Sequence, residues 1–268
     1  MKQLAHHTKP DHHLKGALME PYWEDKDAGI ALYLGDMREV LPALDLQADL
    51  VVADPPYAET SLAWDRWPKG WPEYARDVAS SMWCFGSMRM FLDRGHEFTA
   101  SDWKLSQDIV WEKQNGTGFA SDRFKRVHEH ALHWYRGDWA QLHHETPKSA
   151  VHHRTKGNAS GGQPDHTGAR GRSTWEDDGT RLLRTVLQVP NMWRRGAIHP
   201  TEKPIGIVAP LIEYACPPGG LVVDPFAGSG STLDAARQSG RRAIGIEAHE
   251  PYAEAAARRL DALVLDIA

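Results

Sequence analysis

Leu221-Val222-Val223-Asp224-Pro225-Phe226-Ala227-Gly228-Ser229-Gly230-Ser231-Thr232 runs from a β-branched apolar stretch, through a glycine-rich turn, into a helical segment. Such an order lets backbone N–H groups approach a ligand closely at a helix N-terminus. About twenty residues further on, Ile244-Gly245-Ile246-Glu247 ends the next apolar stretch with a carboxylate, a spacing that suits a ribose hydroxyl. The glycine pattern is Gly228-x-Gly230-x-x-Leu233, without the third glycine expected of a nicotinamide-dependent enzyme, the obvious rival.

Working outward, short apolar runs rich in β-branched and aromatic residues read as buried strands. They are Ile30–Leu34, Leu50–Ala53, Met82–Phe85, Ile109–Trp111, Ala131–Tyr135, Leu221–Val223 and Ala243–Ile246. Helical stretches lie between many of them: Met37–Leu44, Tyr74–Ser81, Pro204–Ala215, Ser231–Ser239 and Pro251–Leu260. The alternation predicts an α/β fold, a mostly parallel seven-stranded sheet with helices on both faces. No helical pattern separates Ile109–Trp111 from Ala131–Tyr135, which predicts an antiparallel edge hairpin.

Asp54-Pro55-Pro56-Tyr57 directly follows Leu50–Ala53. Two prolines stop both a strand ladder and a helix. They stiffen the chain and hold an acceptor carboxylate and an aromatic ring in fixed relation. An ordinary strand-ending turn with a capping Asp is the bland alternative.

The 268 residues suffice for one α/β domain with a modest insertion, and 41% are hydrophobic, enough for a sizeable core. Met1–Trp23 is polar and His-rich, unlike a secretory signal. No apolar run is long enough for a membrane span. Two cysteines, Cys84 and Cys216, lie in or beside apolar segments and suit a reducing cytoplasm. The net charge of −5 is uneven, because Trp139–His199 holds nine Lys/Arg and five Asp/Glu, a local +4 against −9 elsewhere. A basic, Gly/Ser/Thr-rich segment on an acidic body suggests a nucleic-acid contact, against the plainer reading of a solvated loop. The expected organisation is 1–138, a first catalytic part; 139–190, an insert; and 191–268, a second catalytic part.

Taken together, the two motifs resemble the amino-methyltransferases of DNA, which act on adenine N6 or cytosine N4. The Asp-Pro-Pro-Tyr element precedes the glycine-rich one, which resembles the β-type, circularly permuted group that includes cell-cycle-regulated adenine methyltransferases. His199-Pro200-Thr201-Glu202-Lys203-Pro204 is similar to the group's His-Pro-x-x-Lys-Pro element. Leu34-Gly35-Asp36, Ile109-Val110-Trp111-Glu112-Lys113 and His128-Glu129-His130 are similar to its other strands. The resemblance covers most of residues 29–138 and 191–260.

This resemblance implies a Rossmann-like methyltransferase fold, S-adenosyl-L-methionine as cofactor and double-stranded DNA as partner. Asp54 and the Pro55 carbonyl would accept the target amino group, and Pro56 would keep the turn rigid. Tyr57 would stack on a base flipped from the duplex. Asp224, Gly228 and Gly230 would flank the methionine part of the cofactor, Phe226 would pack on its adenine and Glu247 would hold its ribose. Asp36 would lie near the adenine amino group, with a helix N-cap as the alternative. Thr201 and Lys203 would touch the methionine end, although Lys203 also reads as a surface lysine. Residues 139–190 would form the target-recognition insert, with Arg154, Lys156, Arg170 and Arg172 as DNA contacts. A homodimer and a cognate restriction endonuclease both stay open as partners.

Serine commonly replaces Asp at the head of the tetrapeptide in cytosine enzymes, so Asp54 points to adenine, with N4-cytosine methylation as the alternative. A catalytically inert DNA-binding or cofactor-sensing module is the rival of another class. The pairs His6-His7, His12-His13, His143-His144 and His152-His153 lack Cys or carboxylate partners at ligand spacing, so no metal site is expected.

Overall fold

The computed structural model describes residues 19–62, 64–117, 121–150, 179–190 and 202–265. In chain order the elements are β1 (Trp23–Asp25), β2 (Ile30–Leu34), α1 (Met37–Leu44), β3 (Leu50–Ala53), α2 (Trp71–Val78), β4 (Ser81–Gly86) and α3 (Met88–Ala100). They continue with β5 (Lys104–Thr117), β6 (Arg126–Tyr135), β7 (Lys148–Ala150), β8 (Thr180–Leu182), β9 (Val186–Gln188), α4 (Ile205–Ala215), β10 (Leu221–Asp224), α5 (Ser231–Gln238), β11 (Arg242–Glu247) and α6 (Glu250–Leu265).

Nine strands form one sheet in the order β1-β2-β11-β10-β3-β4-β6-β5-β9. The strands β2, β11, β10, β3 and β4 run parallel, and β5 and β6 form the expected antiparallel hairpin beside β4. The seven expected strands make up the body of the sheet. It is wider by two three-residue strands, β1 on β2 and β9 on β5.

The side-chain period of two divides the core between two faces. Leu50 and Val52 of β3 pack with the apolar faces of α4, α5 and α6. Val51 and Ala53 pack with α1, α2 and α3. Among the described residues the result is a three-layer sandwich with three helices on each face. Cys84 and Cys216 are buried, unpaired and in different cores. Among the described residues no helix is long and apolar enough to cross a membrane.

Helix α2 begins at Trp71, with Pro72 in its first turn, and ends at Val78, earlier than the expected Tyr74–Ser81. Ser81 belongs to β4, where it pairs with Tyr135. Of residues 139–190, expected to form one insert, the described ones are 139–150 and 179–190. The ribbon β7–β8 brackets residues 151–179, whereas β9 joins the main sheet, and Trp111 Nε1 donates to the Val189 carbonyl at 2.9 Å.

Candidate active site

Strand β10 is central in the parallel run, with β11 on one side and β3 on the other. The register places Val223 beside Val51, so Asp224 and Asp54 leave neighbouring strands at the same, carboxyl end. In open α/β sheets that end holds the ligand crevice.

The chain after β3 is built as a rigid turn. The Tyr57 hydroxyl lies 2.8 Å from Asp54 Oδ1 and 2.6 Å from Glu129 Oε1. Ala58 has a φ of 57°, and its N–H and that of Thr60 donate to the buried Asp65 carboxylate at 2.7 and 2.6 Å. Asp65 therefore closes the loop behind the tetrapeptide.

Asp54 Oδ2 accepts from the Lys203 ammonium at 2.5 Å, and the Lys203 nitrogen also lies 3.5 Å from Glu129 Oε1. On the far side, Lys113 donates to Glu129 Oε2 at 2.7 Å. Two carboxylates, two ammonium groups and one phenol thus form a charge-balanced, mostly buried cluster. Burial works against a charged Lys203, but Asp54 and Glu129 outweigh it and raise its pKa. Burial would raise Glu129, but Lys203 and Lys113 outweigh it and hold the carboxyl below its usual range. Tyr57 is held well above 10, by burial first and then by Asp54 and Glu129, so its hydroxyl stays a neutral donor. The Asp54 side chain remains 24% exposed, against 8% for Lys203, so of this ion pair the carboxylate is the member open to a substrate.

The other half of the crevice is the glycine-rich turn. Gly228 and Gly230 have φ of 51° and 77°, left-handed values that a Cβ would strain. Glu247, at the end of β11, accepts the Gly228 N–H through Oε2 and the His249 N–H through Oε1, both at 2.8 Å. One carboxylate therefore fixes the turn to the neighbouring strand end. Phe226 stands edge-on to the buried Trp71, with ring centroids 5.4 Å apart. Asp224 is buried and accepts the Phe226 N–H at 2.9 Å. Its pKa rises from 3.8 to about 7, through burial first, opposed by hydrogen bonds from Thr232 and Phe226 and reinforced by Asp54 and Glu247. The charged groups acting on Asp224 are both acidic, so it suits a cationic ligand.

Asp54, Tyr57, Lys203, Asp224 and Glu247 are thus brought together. Asp36, at the end of β2, caps α1 by accepting the Arg38 N–H at 2.9 Å and also pairs with the Arg38 guanidinium. Lys203, assigned by resemblance to the cofactor's methionine end, pairs with Asp54 and Glu129. Thr201, Arg154, Lys156, Arg170 and Arg172 lie outside the described residues. Glu129, Lys113 and Asp65 had no role in the sequence reading. The available signal for Glu129 was a carboxylate inside the otherwise apolar-to-histidine run of β6.

A family model described as DNA methylase, for N6/N4 methyltransferases, matches residues 48–258. The type II methyltransferase M.ScaI of Streptomyces caespitosus is 25% identical over 278 residues, spanning 93% of this chain and 86% of that protein. A 65-residue stretch is 58% identical to YubD of Escherichia coli (strain K12), spanning 24% of this chain and 29% of YubD. The solved M1.HpyAVI–SAM complex superposes with a TM-score of 0.60 at 22% identity, over 85% of this chain and 98% of that one. The cytosine-N4-specific PvuII DNA methyltransferase superposes with a TM-score of 0.58 at 19% identity, over 86% of each chain. Both structures share this fold.

Proposed function

The chain belongs to the N6/N4 DNA methylase family, and on that premise we propose that it methylates the exocyclic N6 of adenine in duplex DNA, with S-adenosylmethionine as donor. The observation that carries this reading is the Asp54 carboxylate, partly exposed on a proline-stiffened turn next to the strand that ends in Asp224.

The cofactor supplies an electrophilic sulfonium methyl group. Asp224 fits it as a buried carboxylate with no cationic partner among the described residues, and Glu247 fits it as an acceptor fixed at the glycine-rich turn. An adenine amino group has its lone pair spread into the ring. Each Asp54 oxygen has a lone pair beyond those used by Tyr57 and Lys203, and the Pro55 carbonyl adds a further acceptor. Hydrogen bonds from both amino N–H groups to these acceptors favour a more pyramidal, more nucleophilic nitrogen. The residues therefore act mainly by position and preorganised charge. The Tyr57 ring, anchored at its hydroxyl, is the stacking surface for the flipped base, offsetting part of an unstacking cost of a few kcal/mol. Residues 139–190 are the target-recognition insert, with Arg154, Lys156, Arg170 and Arg172 contacting DNA. Seven Lys/Arg against five Asp/Glu in this segment, a local +2 on an acidic chain, support this role.

The test is incubation of purified protein with cofactor and mixed-sequence duplex DNA, followed by nucleoside mass spectrometry. N6-methyladenine is expected, and N4-methylcytosine in its place would reassign the base. Asp54→Ala is expected to abolish transfer while leaving cofactor affinity intact. A variant turning over at the wild-type rate would remove Asp54 from the chemistry.

A further inference from the structure

Glu129 organises the site although neither sequence motif contains it. It lies on β6 opposite Trp111 of β5, and Lys113, two residues on, reaches it while its ammonium lies 4.7 Å from the Trp111 ring centroid. Its Oε1 faces two groups that Asp54 also holds, the Tyr57 hydroxyl and the Lys203 ammonium. Tyr57 has one proton to donate, so the two carboxylates compete for it. The Lys203 charge is likewise divided, closer to Asp54 than to Glu129.

The competition has a chemical consequence. A carboxylate that takes the full charge of an ammonium and a whole hydroxyl proton is a poorer acceptor for a further N–H. Withdrawing part of each leaves Asp54 the stronger acceptor. The Tyr57 ring is also fixed from two directions rather than one. A buried ion cluster is seldom the most stable filling of such a space, since an apolar replacement of similar volume is often neutral or stabilising. Stability alone therefore gives no reason for Glu129 and Lys113.

We propose that Glu129 is a positioning residue for methyl transfer: it shares Tyr57 and Lys203 with Asp54, so that the ring is held and Asp54 is free to accept the target amino group, while Lys113 balances its charge. The proposal rests on the role assigned to Asp54 above. The groups facing the cluster are Asp54 and Tyr57 after β3, Lys113 on β5, Lys203 before α4 and Cys84 on β4. Burial pushes the Cys84 thiol well above 9, so it stays neutral.

The experiment compares wild type, Glu129→Gln and the double variant Lys113→Met/Glu129→Gln. It measures single-turnover transfer to duplex DNA, cofactor affinity by calorimetry and thermal unfolding. Glu129→Gln is expected to slow transfer on the order of 100-fold, the scale for a small misplacement of reacting groups, with cofactor affinity unchanged. Any rate change that accompanies deprotonation of Lys203 should move to lower pH, because Lys203 loses one of the two anions that hold its proton. The double variant removes the unpaired ammonium, so its unfolding midpoint should recover while its rate stays low. Recovery of rate together with stability would show that Glu129 only balances charge, and would overturn the proposal. So would a wild-type rate in Glu129→Gln. Should that single variant fail to fold, the double variant carries the same readout. A wild type that methylates no duplex DNA would instead overturn the functional reading.

Discussion

Binding of S-adenosylmethionine should tighten as pH rises through about 7, because its cation meets a carboxyl that burial keeps half protonated there. Asp224 is buried, and its pKa is raised from 3.8 to about 7. Its folded value lies above its unfolded one, so folding takes up a proton between those limits. The associated stability is present below pH about 4 and is lost as pH rises to about 7, by roughly 4 kcal/mol at 1.36 kcal/mol per unit. A sulfonium and an ammonium brought against Asp224 favour its ionised form, so binding expels the proton. At pH 6 about one-tenth of Asp224 is ionised, which makes binding about tenfold weaker than at pH 8, or about 1.4 kcal/mol. Calorimetry in buffers of different ionisation heat measures both quantities. Release of roughly 0.9 proton is expected at pH 6 and roughly 0.1 at pH 8. Asp224→Asn should bind more weakly, and the difference between variant and wild type isolates Asp224 from the cofactor's own titration. If the two proteins show the same pH dependence and the same proton release, Asp224 does not pair with the cofactor and the assignment fails.

Glu247→Ala should weaken cofactor binding by about 1.5–3 kcal/mol, the worth of hydrogen bonds to a charged group. The loss combines the ribose contact with the freed Gly228 N–H, and unchanged affinity by calorimetry would leave Glu247 only as a brace for the turn. Replacing residues 152–177 with a short Gly/Ser linker retains both strands of the β7–β8 ribbon. Duplex binding should collapse across a salt series while cofactor binding is spared, with each lost phosphate contact lowering the salt slope by about one unit. Normal methylation of the same site by that protein would place recognition elsewhere.

The sheet was legible because its strands are short, β-branched and bounded by turns, and the crossover helices set them parallel. Helix α3 was not legible. Its apolar residues Met90, Phe91 and Phe98 give a broken stripe, and Gly95 interrupts the segment. The true start signal was Ser87, whose hydroxyl caps the Met90 N–H at 3.0 Å. The two edge strands carry no periodicity of their own, since three residues cannot show a pattern, and their existence depends on the neighbour they join.

The site divides along the same physical line. Asp54 and Asp224 could be found because each sits at a strand end next to proline or glycine, and backbone stiffness or backbone freedom is a local property. Lys203 stood out in its motif but its ion-pair partners did not, because an ammonium on a four-carbon stem takes whichever anion the fold brings within reach. Its partner Asp54 is 149 residues away, and Glu129 is 72 residues from Tyr57. Glu129 had to wait for the β5–β6 register, which sets it opposite Trp111 and within reach of Lys113. A one-residue slip in that hairpin would turn Glu129 to the other face and leave Lys203 shared by no second carboxylate. The hairpin register is therefore part of the proposed catalytic apparatus, and the charge-balanced cluster is the element that local motifs could not express.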